Sequence, residues 1–291
     1  MTTAVVVPVR DGVGLLPGLL DTLMPEAEHA GAEVIIVDDA SADASAAIAA
    51  ARGCRVVRRD IAGGPYRARN DGWRSSTADR VVFTDLRSRP RSGWLSAIAD
   101  RLADDAVAVV GGETYAAAGT TLAGRAFAAR RGLSPSTTMD DPFLPFVSTC
   151  NMAVRRGVLE AVDGFREIRS GGDLDLCWRA QLARLGTVVV EPSAIIDWIP
   201  RETLRELFEQ VGRYGRNRPL LDAEYADRGA HVLPPPARHR IAGHQLKVLV
   251  RRWRAHELEG PRMEAVRIAW DLVHWHSYRA GHRAIGQGRL P

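Results

Sequence analysis

The chain has 291 residues, 46% of them hydrophobic, ample for one large α/β domain or for such a domain with a helical appendage. Its formal net charge of +4 rests almost wholly on arginine, Lys247 being the only lysine, and the three widely spaced cysteines (Cys54, Cys150, Cys177) form no paired metal pattern. No stretch approaches the ~20 apolar residues that span a bilayer, and no basic region leads into an apolar core at the N-terminus, so the expectation is a reduced, cytoplasmic protein without a signal peptide.

Ala4–Val9 is a continuous β-branched run closed by Pro8-Val9-Arg10-Asp11-Gly12, which predicts a buried parallel strand opening into a loop. An apolar helix over about Val13–Met24 follows, then a strand over Glu33–Asp38, an alanine-rich helix over Ala42–Arg52 and a short strand over Cys54–Arg58. Gly63-Gly64-Pro65 opens a helix to about Ser75, and Arg80–Thr84 is a fourth strand ending at Asp85. Strands and helices alternating over short connections predict a parallel sheet with right-handed crossovers. In such sheets ligands bind beyond the carboxyl ends of the strands, where Arg10-Asp11, Asp38-Asp39 and Asp85 all arrive.

Val107–Gly111 reads as a fifth strand, Gly112–Pro145 as a loop-rich insertion beside the site, Phe146–Val154 as a strand and Thr187–Val190 as the last one. From Arg201 the pattern turns helical: Glu202–Tyr214, about Pro219–Arg228, and, after a linker at Pro234-Pro235-Pro236, about His239–His256 and Met263–Ala284. The expected division is a catalytic domain over 1–200 and a helical region over 201–291. Leu246, Leu249, Val250 and Trp253, and again Val266, Trp270 and Val273, recur at helical spacing with arginines between them. That pattern suits packing onto the domain, a homodimer contact, or a basic amphipathic face lying on anionic lipid.

The chemistry is expected at Ile168–Arg179, where Gly171 and Gly172 lead Asp173 and Asp175 onto the first turn of a helix and leave room for a bound molecule. Two residues apart on a helix, these aspartates point about 200° from one another, so only one can face a cleft. His274 and His276 diverge for the same reason and make no metal pair. No Gly-x-Gly-x-x-Gly follows the first strand, against a nicotinamide dehydrogenase, and nucleic-acid binding has no support because the basic residues lack interleaved strand aromatics.

In chain order, Val5-Val6-Val7-Pro8-Val9-Arg10-Asp11, Glu33–Asp43, Ala68-Arg69-Asn70-Asp71-Gly72, Val81–Asp85, Asn151–Arg156, Gly164-Phe165-Arg166 and Gly172–Leu176 resemble the motifs of the inverting family-2 glycosyltransferases with a GT-A fold. The resemblance covers roughly the first 215 residues. It implies a Rossmann-like, mostly parallel central sheet flanked by helices, here with a C-terminal helical extension, and a nucleoside-diphosphate sugar as substrate. It places Pro8, Val9, Arg10, Asp38, Asp39, Arg69, Asn70 and Asp85 around the donor, with Asp39 on the base, and Asn151, Gly171 and Gly172 about the sugar or acceptor. Asp173 matches the general base that takes the acceptor hydroxyl proton. The acceptor is expected to be a small molecule or a lipid-linked one met through peripheral membrane contact.

Three departures accompany the resemblance. The family's Asp-x-Asp, whose second carboxylate binds a divalent metal, is here Asp85-Leu86-Arg87; the histidine expected after the last strand is replaced by Ile195-Ile196-Asp197-Trp198; and the glutamate before the base is Gly172. An arginine ~5 Å from a divalent ion would repel it by roughly 6–7 kcal/mol at an effective dielectric near 20. The favoured expectation is therefore that Arg87, with Arg89 or Arg69, replaces the metal at the departing diphosphate. The alternatives are a magnesium or manganese ion held by Asp85 with Asp197 or water, and a catalytically degenerate protein that only binds a sugar nucleotide or a partner.

Overall fold

The computed structural model describes residues 1–117, 119–130, 133–235, 237–255 and 259–288, apart from the side chains of Arg238 and His239. In chain order the elements are β1 (Thr3–Val9), α1 (Leu16–Ala30), β2 (Glu33–Asp38), α2 (Ser45–Ala51), β3 (Arg55–Arg58), α3 (Pro65–Ser75), β4 (Arg80–Thr84), β5 (Ser88–Pro90) and α4 (Trp94–Asp100). They continue with β6 (Val107–Ala116), α5 (Leu122–Arg130), β7 (Asn151–Arg155), α6 (Arg156–Ala161), α7 (Gly172–Leu182), β8 (Thr187–Trp198), α8 (Leu204–Glu224), α9 (Arg238–Arg254) and α10 (Pro261–Gly286). The chain forms two compact units, one of Met1–Ala117, Arg131–Ile168 and Gly172–Ile199, the other of Ala118–Arg130, Arg169–Gly171 and Pro200–Pro291.

The first unit is built on one sheet of order β3-β2-β1-β4-β7-β6-β8-β5. β1 pairs in parallel with β2 and β4, and β2 with β3, as the crossovers predict. β7 runs antiparallel between β4 and β6, and β8 returns parallel to β6, so the sheet is mixed but dominated by parallel pairs. Val5, Val6, Val7, Ile35, Ile36 and Val82 are fully buried, which is why these strands read as unbroken apolar runs: both faces are covered. One face packs Val6, Ile35, Phe83 and Met152 against Tyr66, Trp73, Phe165 and Cys177. The buried Leu16, Leu19, Leu20 and Leu23 of α1 and Trp94, Leu95 and Ile98 of α4 supply a further apolar layer.

Several boundaries differ from the expectation for definable reasons. β8 runs on to Trp198 because a register shift between Gly112 and Glu113 lets Pro192, which has no N–H to donate, fall in a bulge. β5 is only three residues long, held by antiparallel pairing with β8. Phe146–Cys150 lies outside β7, whereas Gly112–Pro145, expected as loop, contains the end of β6 and all of α5; Arg131 and Gly132 in that stretch lie outside the described residues.

In the second unit, the two helices expected on either side of Pro219 are one helix, α8, begun by a capping box in which Thr203 Oγ1 accepts from the Glu206 N–H at 3.2 Å. Tertiary packing overrides the proline. A Cβ on Gly215 of α8 would lie 2.6 Å from the His274 carbonyl oxygen of α10, and one on Gly281 of α10 would lie 2.3 Å from the Arg216 carbonyl oxygen, so paired glycines let the two backbones touch. Of the triple-proline linker, Pro236 lies outside the described residues. No helix among the described residues is long and apolar enough to cross a membrane.

Candidate active site

The first unit gathers the ends of β1, β2 and β4 with the N-terminal turns of α3 and α7. Gly64, at φ +87°, and Pro65 start α3, which places Tyr66, Arg69 and Asn70 on its buried side. Arg69 has 4% of its side chain exposed, and its Nη2 lies 2.5 Å from Asp85 Oδ1 at the end of β4. Its guanidinium also lies over the Tyr66 ring, 5.4 Å from the centroid, and its Nε has no hydrogen-bond partner.

Asp173 stands in the first turn of α7. Its Oδ1 accepts from the Leu174 N–H at 3.1 Å and from the Tyr66 hydroxyl at 3.3 Å. The carboxylate keeps a partly open face yet is surrounded by protein, and this desolvation raises its pKa; the Leu174 N–H and the positive charge of Arg69 pull the other way. Arg69 is thus ion-paired with one carboxylate and electrostatically coupled to the other. Burial chiefly raises the pKa of the Cys150 thiol, and the negative charges of Asp85 and Asp173 raise it further.

Asp175 faces the opposite side, as helical spacing requires. It is fully buried, with Oδ2 2.7 Å from Arg179 and Oδ1 3.2 Å from Arg166. Arg179 also donates to the carbonyls of Val162 and Gly164, locking α7 to the chain that precedes it.

The other expected site residues divide. Pro8 and Val9 close β1 in register with Val37 and Asp38, and Arg10 beyond them is exposed, 3.8 Å from Asp11. Asp38 is 1% exposed; Oδ1 accepts from the Ser41 N–H at 3.0 Å, while Oδ2, 3.5 Å from Arg58, has no hydrogen-bond partner. Asp39, expected on the base, spends its carboxylate on the chain: it accepts from the N–H groups of Gly63 and Gly64 at 2.8 Å each and pairs with Arg59 at 3.0 Å. It therefore anchors the loop that starts α3.

Asn70 and Asn151 are engaged by the chain itself. Asn70 donates to the Phe165 carbonyl at 2.6 Å and accepts from the Phe165 N–H and Trp73 Nε1, so it holds the Gly164-Phe165 turn. Asn151 accepts from Trp94 Nε1 at 2.7 Å and donates to the carbonyls of Glu113 and Ala194, so it ties α4 to the sheet. A buried amide has few other ways to satisfy its groups. The space expected beside the glycines is also filled: a Cβ on Gly172 would lie 2.9 Å from the Tyr66 ring, and, in the second unit, one on Gly171 would lie 2.5 Å from Leu221 Cδ1.

The arginines after Asp85 part company. Arg87 donates to the Ile199 carbonyl at 3.4 Å, whereas Arg89 donates to the carbonyls of Leu86, Ser88 and Leu15 and braces the loop. Burial lowers the Arg89 pKa, and the nearby charge of Arg87 lowers it further. Asp197, the carboxylate that might have joined Asp85 around an ion, is held by Arg91 through two 2.8 Å bonds. Asp85 is paired to Arg69, Arg87 stands two residues beyond it, and no group of three or more His, Cys, Asp or Glu suited to a metal occurs among the described residues.

Sequence reasoning does not single out Tyr66 or Arg59. The signal for Tyr66 was its place directly after Gly64-Pro65, in the first turn of a helix whose start was legible; nothing local marks Arg59, whose partners Asp39 and Asp71 come from two other elements.

Residues 4–163 match the sequence model of glycosyl transferase family 2 over more than half the chain. The chain belongs to that family. A pre-mycofactocin glycosyltransferase of Mycobacterium tuberculosis is 30% identical over 240 residues, covering 79% of this chain and 49% of that protein, so the family-2 chain spans about half the length of this curated relative. Glycosyltransferase AglE of Haloferax volcanii is 27% identical over 197 residues, 64% of this chain and 62% of that one. Among solved structures, the mannosyltransferase PcManGT of Pyrobaculum calidifontis, in complex with GDP-Man and Mn2+, superposes with a TM-score of 0.62 at 19% identity, over 95% of this chain and 86% of its own. S. aureus TarS in complex with UDP-GlcNAc superposes with a TM-score of 0.56 at 18% identity, over 99% and 93%. These likenesses establish the GT-A fold for this member of the family.

Proposed function

We propose that this chain is an inverting transferase that moves a sugar from a nucleoside diphosphate to an acceptor hydroxyl, with arginine rather than a divalent ion stabilising the departing diphosphate. The observation that carries the reading is Arg69: nearly buried, 2.5 Å from Asp85, and close enough to Asp173 to lower its pKa. It joins the strand-end carboxylate of the donor side to the only carboxylate of α7 that is not buried in ion pairs.

In this reading Asp173 takes the proton from the acceptor hydroxyl as that oxygen bonds to the anomeric carbon, and the bond to the nucleoside diphosphate breaks on the opposite face. A raised pKa makes the carboxylate a stronger base, and the Tyr66 hydroxyl fixes its orientation. Arg69, whose Nε is unpartnered, and Arg87 supply positive charge where negative charge accumulates on the leaving group. Asp38, with one oxygen lacking a hydrogen bond, is the better-placed acceptor for a base N–H or ribose hydroxyl than Asp39, whose oxygens are engaged. The acceptor class that suits the reading is a small molecule or a lipid-linked hydroxyl.

The test is release of nucleoside diphosphate from a panel of uridine, thymidine and guanosine diphosphate sugars, before and after exhaustive chelation. Release that survives chelation is expected. Complete loss restored by magnesium or manganese would overturn the metal-free step, and tight donor binding without release would instead favour a sugar-nucleotide-binding protein without catalysis.

A further inference from the structure

The second unit carries an apolar and cationic surface of its own. α9 is about 25 Å long. Its inner side is fixed to α10, where Gln245 donates to Asp271 at 2.5 Å and Arg252 lies 3.1 Å from Glu264. Its outer side is apolar and open. Ala242, Leu246, Val250 and Trp253 follow one another at helical spacing, with Leu246 63%, Val250 37% and Trp253 65% exposed. Arg240, Lys247, Arg251 and Arg254, all exposed, border that stripe along one flank, and the helix contains no acidic residue.

We infer that α9 is a docking helix for an anionic lipid surface. Charge and apolarity are arranged as a bilayer interface requires: Leu246, Val250 and Trp253 can enter the boundary between headgroups and acyl chains while the four cations remain level with lipid phosphates. Tryptophan favours that depth, its ring amphipathic and its N–H still able to reach water or headgroup oxygens. A second copy of α9 would offer no acidic residue to answer the cationic row, and a nucleic-acid backbone would leave Leu246 and Trp253 against phosphate. By contrast, Trp270 of α10 is packed within the unit, 6.3 Å from the Phe127 ring and under the Arg130 guanidinium, so the outward apolar stripe belongs to α9.

The experiment is co-sedimentation of the full chain with vesicles of phosphatidylcholine alone or with about one third phosphatidylglycerol. The expected result is binding to the anionic vesicles that falls with salt, weakened about a hundred-fold in a Lys247→Gln/Arg251→Gln/Arg254→Gln variant, at roughly five-fold per cation, and lost in Leu246→Ser/Trp253→Ala. Both variants leave every residue of the Asp85, Arg69 and Asp173 site untouched, so an unchanged melting profile shows that they fold. The proposal is overturned if the wild-type chain ignores both vesicle types, if the variants bind as it does, or if the stripe variant only dissociates a dimer. Vesicle binding is read without any sugar donor, so its outcome is independent of the transferase reading.

Discussion

Asp173 is held in an environment that opposes its own charge. Its folded-state pKa lies above the unfolded value, so the native state binds the proton more tightly and stability declines as pH rises through that interval; the penalty is fully present above the folded pKa. Asp173→Asn should therefore raise the melting temperature at neutral pH while lowering turnover by about 10²–10⁴-fold, checked by thermal denaturation beside nucleoside diphosphate release. A variant that is both active and no more stable would remove the carboxylate from this role. The acid limb of kcat/KM should lie above the ordinary carboxylate range, and Arg69→Met should move it to higher pH, because the Arg69 charge now lowers that pKa. An unmoved limb would mean the two groups are not coupled. Asn151→Ala should behave differently: it strands Trp94 Nε1 and two carbonyls, at a cost on the order of 3 kcal/mol in denaturant unfolding. A changed donor KM at unchanged stability would instead place Asn151 in the sugar pocket.

At the scale of elements, legibility followed the physics of each segment. β1, β2 and β4 announced themselves because burial on both faces leaves unbroken β-branched runs, and their ends led directly to Asp38, Asp39 and Asp85. β5 and the far half of β8 did not, since three residues and a strand interrupted at Pro192 exist only through their partners. The site divided likewise. A motif marks a position on an element but not which polar group fills its hydrogen bonds, so Asp173 was legible from the helix start, whereas the engagement of Asn70 by Phe165, 95 residues away, was not. α8 crosses Pro219 for a tertiary reason, and Gly281→Val should expose it: the added side chain meets the Arg216 carbonyl, which cannot swing aside, and stability should fall by about 1–3 kcal/mol. Unaltered thermal unfolding of that variant would show that the helices can separate without loss.

For the molecule as a whole, a family-2 GT-A domain follows β4 with Asp85-Leu86-Arg87. Asp85 is balanced by Arg69 and Asp197 by Arg91; in the proposed reading Arg69 and Arg87 supply the positive charge that a divalent ion would otherwise bring. The space beside Gly172 is taken by the Tyr66 ring, whose hydroxyl donates to Asp173. In that reading donor side and base side are coupled through Tyr66 and Arg69, three residues apart in α3. The most direct test is a crystal structure with an intact nucleoside-diphosphate sugar bound. The account predicts the diphosphate against Arg69 and Arg87 and the anomeric carbon facing Asp173 from the side opposite the leaving group; a sugar turned away from Asp173, or a diphosphate seated on a metal ion held by Asp85, would contradict it.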